Sequence, residues 1–132
     1  MQLTLPTLSP QPLLDTHREA LISALAGMRF GLEKEGLRVN AKDGTLAQTP
    51  HAKALGSALT HPRITTDYSE ALLEFVTGTH PTAQAALEEL NRLQAYATGV
   101  IGDELIWPLS MPCALPDTDR EIPLAYYGES HI

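Results

Sequence analysis

Three glutamates and an aspartate between residues 33 and 74 have the types and spacing to do chemistry. The segment Gly31-Leu-Glu-Lys-Glu-Gly-Leu-Arg38 sets Glu33 and Glu35 two residues apart. In a strand such a pair points to one face, with Cα atoms about 7 Å apart. Neighbouring metals of a phosphoryl-transfer site stand about 3.5–4 Å apart and take oxygen ligands near ~2 Å, so the spacing could address adjacent ions. A solvated strand face carrying charges accounts for the same pair. Glu74 differs, because Ala71-Leu-Leu-Glu-Phe-Val76 places it inside an otherwise apolar strand. A buried carboxylate without a partner costs several kcal/mol, so Glu74 needs a cation, a metal or a proton. An ion pair with Arg38 or Arg63, or exposure on one face, would satisfy it as well. Asp67, at the end of the β-like segment Ile64-Thr-Thr-Asp67, is a fourth acid that a turn or a helix cap would also explain.

The remaining reactive side chains offer less. His17, His51, His61, His80 and His131 lack metal-ligand spacing, and Cys113 beside two prolines reads as a small buried residue with no His or Asn placed to activate it. Neither a GxxxxGK[ST] loop nor a GxGxxG turn occurs, so no local motif announces a nucleotide. Sixteen acidic against nine basic residues give a net charge of −7, a poor match for nucleic-acid phosphates. One cysteine excludes an internal disulfide framework and points to a reducing compartment. The start MQLTLPTLSPQPLL lacks a basic-then-apolar leader, and no apolar run reaches membrane-span length, so a cytoplasmic protein is expected.

The elements that must position the acids follow from hydrophobic period and turn chemistry. One incomplete domain is expected over 1–132, with a proline-rich loose arm over 1–12. Leu14, Leu21, Ile22 and Leu25 form a helical stripe ending at Gly27, and residues 29–39 read as a strand. By alternation, Lys34 and Arg38 share the strand face opposite Glu33. Ala41-Lys-Asp-Gly44 carries a hairpin signal before a short strand near Thr45–Ala47. A helical turn is expected at 52–55, β-like segments at 64–68 and 71–77, and a helix from Thr82 to about Val100. That helix has Ala83, Ala86, Leu87, Leu90, Leu93 and Ala97 on one face and Glu88 four residues before Arg92. From Trp107 onward, four prolines predict loop. The class is α+β: antiparallel strands with helices on one side.

Four blocks add a resemblance. Phe30-Gly-Leu-Glu-Lys-Glu-Gly-Leu-Arg-Val-Asn40, Ala54-Leu-Gly-Ser-Ala-Leu-Thr-His61, Ile64-Thr-Thr-Asp-Tyr-Ser-Glu-Ala-Leu-Leu-Glu-Phe75, and Gly102-Asp-Glu104 with Trp107-Pro-Leu-Ser-Met-Pro-Cys113 resemble the N-terminal quarter of proteobacterial glutamate–cysteine ligase. The resemblance implies a fold similar to glutamine synthetase, a curved antiparallel sheet with flanking helices. It implies ATP as co-substrate, Mg²⁺, and ligation of the glutamate γ-carboxylate to the cysteine amine through an acyl phosphate, the first step of glutathione synthesis. It assigns Glu33, Glu35, Asp67 and Glu74 to the metal-binding acids and Tyr68 to the cysteine pocket, with no residue of this chain as a general base. It also implies that 13–132 are the N-terminal part of a longer catalytic domain, inactive alone. The open ending LAYYGESHI agrees with that expectation. A carboxylate–amine ligase of another substrate and a non-catalytic fragment that retains metal binding are the alternatives.

Overall fold

The computed structural model describes residues 10–126. Its elements are helices α1 (Gln11–Thr16), α2 (Arg18–Ala26) and α3 (Ala83–Val100), with strands β1 (Glu33–Asn40), β2 (Ile64–Thr65), β3 (Leu72–Val76) and β4 (Glu104–Ile106). The strands form one sheet in the order β2-β3-β1-β4, antiparallel at every pairing. An α+β class with helix on one sheet face is therefore what the chain adopts.

The two sheet faces differ because the sequence alternates. Ile64, Leu73 and Phe75 turn to α3 and are buried with its Leu90 and Ala97 and with Ile101. Each large apolar side chain so buried contributes about 1.5–3 kcal/mol. Thr82 starts α3 by accepting a hydrogen bond from the Ala85 N–H at 3.2 Å, which offsets one unpaired donor of the first turn. Ala86, Leu90 and Ala97 form the buried face of α3, but Leu87 stays 43% exposed. The expected Glu88–Arg92 pair gives way to a Gln84–Glu88 hydrogen bond of 3.1 Å.

β1 changes partners along its length. Glu33–Leu37 pairs with β3 on one edge, and Arg38–Asn40 pairs with β4 on the other. The crossover is tight: a Cβ on Gly36 would stand 2.7 Å from Ile106 Cγ2. Beyond β1 the expected hairpin forms. Gly44 supplies the positive φ of 73°, and the chain returns so that Leu46 bridges Val39. Val39, Leu46, Ala47, Ala71 and Cys113 make a second, smaller core, which gives Cys113 the buried packing role expected of it.

Three boundaries differ from the sequence reading. The stripe over 14–25 is split into α1 and α2 at His17, and α2 buries none of its residues, with Ile22 60% and Leu25 62% exposed. Of the arm expected over 1–12, residues 1–9 lie outside the described residues, and Gln11 and Pro12 already belong to α1. β4 arises where no element was expected; its three residues gain their order from pairing with β1.

Candidate functional site

The strand register decides where the acids point. Glu35 stands directly opposite Glu74 in the β1–β3 ladder, and Glu33, two residues back, stands opposite Val76. Directly opposed residues share a face, so Glu33, Glu35 and Glu74 project together from the side of the sheet away from α3. Thr65 of β2 flanks Glu74 on its other side. Asp67 follows two residues later, on the half-buried loop that leads into β3. Glu33 and Glu35 are exposed, whereas Glu74 and Asp67 are half-buried.

Glu74 feels the other three carboxylates. The Glu74 carboxyl is held above its ordinary range by burial first, then by the charges of Glu33, Glu35 and Asp67. Neither arginine weighed as a partner reaches Glu74. Arg38 is 1% exposed and bonded to Glu104 at 2.6 Å, and Arg63 pairs with Glu89 at 3.0 Å. A carboxylate in an apolar strand, surrounded by like charges and without a cationic partner among the described residues, remains to be explained.

A direct consequence concerns stability. Because the folded-state pKa of Glu74 is raised, the native chain binds this proton more tightly than the unfolded chain. Its contribution to stability therefore falls as pH climbs from the ordinary glutamate value through the raised one, and the cost is fully present above it. Glu74→Gln is expected to be more stable than the parent at neutral pH and to lose that advantage in acid below the ordinary glutamate range. Urea denaturation at a series of pH values measures the difference, and an advantage that does not vary with pH would disprove the linkage.

Hard carboxylate oxygens on one face suit Mg²⁺ by donor chemistry. Among the described residues, however, no three acidic, His or Cys side chains are arranged to hold an ion between them. Mg²⁺ is usually held by one or two carboxylates, with substrate phosphates and water completing the octahedron.

Tyr68 lies next to Asp67 and is 84% exposed, free to meet a ligand and absent from both cores. On the other side of Glu35, a cleft of about 620 Å³ is lined by Leu37, Leu72, Trp107, Leu109 and Met111. Trp107 shapes it by donating from Nε1 to the Met111 carbonyl at 2.8 Å. Along this edge β4 covers only the second half of β1. The Leu37 carbonyl accepts from the Trp107 N–H at 2.8 Å, while Glu33 and Glu35 turn their backbone groups to an edge with no strand partner among the described residues.

The sequence reading missed the groups that hold this face in place. Arg38 donates to Glu104, to the Thr49 hydroxyl and carbonyl, and to the Glu70 carbonyl, each at 2.6–2.7 Å. Alternation places Arg38 opposite Glu33, but its partners lie up to 66 residues away in sequence. Among the described histidines, His80 pairs with Glu89 at 2.5 Å, and His61 Nδ1 accepts the Ile64 N–H at 2.8 Å. Both are structural roles. His131 lies outside the described residues.

Comparison with known proteins identifies the arrangement. The family model described as glutamate-cysteine ligase matches residues 13–132. A glutamate–cysteine ligase of Alcanivorax borkumensis is 52% identical over 124 residues, covering 90% of this chain and 23% of the relative. One from Saccharophagus degradans is 54% identical over 107 residues, covering 81% and 20%. The crystal structure of the Francisella tularensis glutamate–cysteine ligase in complex with AMP superposes with a TM-score of 0.71 at 40% identity, over 77% of this chain and 20% of that one. A bifunctional glutathione synthetase from Pasteurella multocida gives 0.66 at 35% identity, over 83% of this chain and 15% of that one. The chain thus spans about a fifth of the length of the relatives it matches. With sequence blocks, sheet and comparisons in agreement, this chain belongs to the glutamate–cysteine ligase family.

Proposed function

We propose that this chain carries the metal-holding acidic face of an ATP- and Mg²⁺-dependent ligase that joins the glutamate γ-carboxylate to the cysteine amine, the first step of glutathione synthesis. The observation that carries the reading is Glu74, placed in an apolar strand among Glu33, Glu35 and Asp67 with no basic partner among the described residues. The AMP held by the Francisella relative supports an adenine nucleotide as co-substrate.

The chemistry requires such a face. Glutamate's carboxylate is a poor electrophile, so ATP converts it to an acyl phosphate, which the cysteine amine then attacks. Triphosphate and carboxylate are both anions, and Glu33, Glu35, Asp67 and Glu74 would hold the Mg²⁺ that would supply the positive charge to offset their repulsion. Glu33 and Glu35 on β1, with Glu74 and Asp67 across the ladder, supply the anionic oxygens and act as holders, not as general bases. Tyr68, exposed beside Asp67, forms a wall for the cysteine side chain. Among the described residues no helix is long and apolar enough to cross a membrane, and small soluble substrates in the cytoplasm fit the same reading.

The four-stranded sheet leaves half of β1 unpaired on one edge, and a site shared among distant strands cannot be preorganised without them. The 132-residue chain alone is expected to make no γ-glutamylcysteine, whereas a family-length protein containing it releases phosphate only when both glutamate and cysteine are present. Phosphate release by the isolated chain, or release independent of cysteine in the longer protein, would overturn this. In the longer protein Tyr68→Ala is expected to raise KM for cysteine about tenfold, the scale of one methylene in an apolar pocket, and KM for ATP much less. Equal changes would make Tyr68 a packing residue.

A further inference from the structure

We infer that Glu70 is a positioning residue, tying the loop that carries Asp67 and Tyr68 to flanking chain segments and so setting where those side chains stand relative to Glu33 and Glu35. The inference rests on the cation-binding reading of the acidic face and extends it to a residue that does not belong to that face.

Every polar atom of Glu70 is engaged, each by a different residue. Its N–H donates to the Pro123 carbonyl at 2.9 Å. Its carbonyl accepts from Arg38 Nη2 at 2.7 Å. One carboxylate oxygen accepts the His51 N–H and the other the Tyr126 N–H, both at 2.8 Å. Through Arg38 the loop is fixed to β1, the strand that carries Glu33 and Glu35. The neighbouring residues add to the clamp. The Tyr68 carbonyl accepts the Ala125 N–H at 3.0 Å, and Ser69 Oγ donates to the Pro123 carbonyl at 3.0 Å. Asp67 and Tyr68 thus sit on a loop fastened at its C-terminal end by Glu70, while Ile64–Thr65 pairs with β3 at the other.

A carboxylate suits this position because it is acceptor-only and can take a backbone N–H on each oxygen. Gln at the same place keeps one acceptor and presents an N–H₂ to the other amide, two donors facing each other. Neither hydrophobic core includes Glu70, so the sheet is expected to survive the change.

The test compares the chain with its Glu70→Gln variant by amide exchange and by titration with Mn²⁺ as the probe for a divalent cation. Glu70→Gln is expected to speed exchange about tenfold or more at His51, Ala125 and Tyr126, whose N–H groups donate to Glu70 or to the Tyr68 carbonyl, to leave β1 and β3 amides protected, and to weaken Mn²⁺ binding about 10–100-fold. Unchanged loop exchange, or loosened loops with unchanged Mn²⁺ affinity, overturns the inference. Should the parent chain bind no Mn²⁺, the cation reading fails, and exchange alone decides whether Glu70 sets the loop: faster in the variant supports it, unchanged overturns it. If Glu70→Gln does not fold, Glu70→Asp keeps the charge on a shorter arm; the same selective loosening supports the inference, and none overturns it.

Discussion

In a family-length enzyme, replacing Glu74 or Glu33 by Gln is expected to lower kcat by roughly 10²–10³-fold, the scale seen when one preorganised electrostatic contact to a developing charge is removed. The substitution is nearly isosteric, so the ladder in which Glu74 faces Glu35 and Thr65 is preserved. What is lost is one negative charge from the face that would hold the metal, whose positive charge in turn offsets that of the triphosphate. For Glu74 stability should move the other way, since burial first and then the charges of its neighbours hold its carboxyl above the ordinary range, and a neutral side chain relieves that cost. The signature is therefore a pair of opposite effects: a large fall in kcat with unchanged or higher resistance to urea. Steady-state kinetics with saturating Mg²⁺, glutamate, cysteine and ATP, alongside denaturation of the same samples, measures both. Parent-like kcat in both variants would remove these residues from the metal set.

The largest stability effect is expected at Arg38. Its guanidinium is buried at 1% exposure and bridges β1, β4, the Thr49 segment and the Glu70 loop. The Thr49 hydroxyl also donates to Glu104, so Arg38, Glu104 and Thr49 form one closed network. Arg38→Ala leaves Glu104 without its cationic partner and the Thr49 and Glu70 carbonyls without their Arg38 donor, and is expected to cost about 3–5 kcal/mol, the range for breaking one half of a buried pair. Replacing both charges at once, as Arg38→Met with Glu104→Leu, is expected to cost less than the single change, because no buried charge is then stranded. Urea midpoints for the three proteins test this. A double variant less stable than Arg38→Ala would mean that the pair itself, and not the stranded partner, supplies the stability.

How far the sequence foretells this structure varies from residue to residue. Leu72 through Val76 alternates buried and half-buried along β3, and parity alone places Glu33 and Glu35 together. The period of α3 is equally plain, since Ala86, Leu90 and Ala97 recur on its buried face. That Glu74 shares a face with Glu33 and Glu35 follows from their assignment to one metal-binding set, but its place directly opposite Glu35 was not legible, because parity gives faces within a strand and only register gives neighbours between strands. Register here depends on the β1–β3 ladder, which joins residues about forty apart. β4 escaped notice for the same reason: Glu104-Leu-Ile106 is too short to show a period and owes its order to β1. Arg38 was weighed as a partner for Glu74 and Glu70 drew no reading, since nothing local marks a side chain whose partners come from distant segments, three of them for Arg38. The stripe of α2 failed in the other direction, with an apolar period that buries nothing among the described residues.

The central claim is that Glu33, Glu35, Asp67 and Glu74 form a single cation-binding face. Carboxyl ¹³C NMR of the chain, titrated with pH in the absence and then the presence of Mg²⁺ and a non-hydrolysable ATP analogue, tests it most directly. The Glu74 carboxyl should titrate above the ordinary glutamate range without metal and fall below its metal-free value when Mg²⁺ is added, with the Glu33, Glu35 and Asp67 resonances shifting together in the same titration. A Glu74 titration that Mg²⁺ and nucleotide leave unmoved, or shifts confined to one of the four carboxyls, would contradict it.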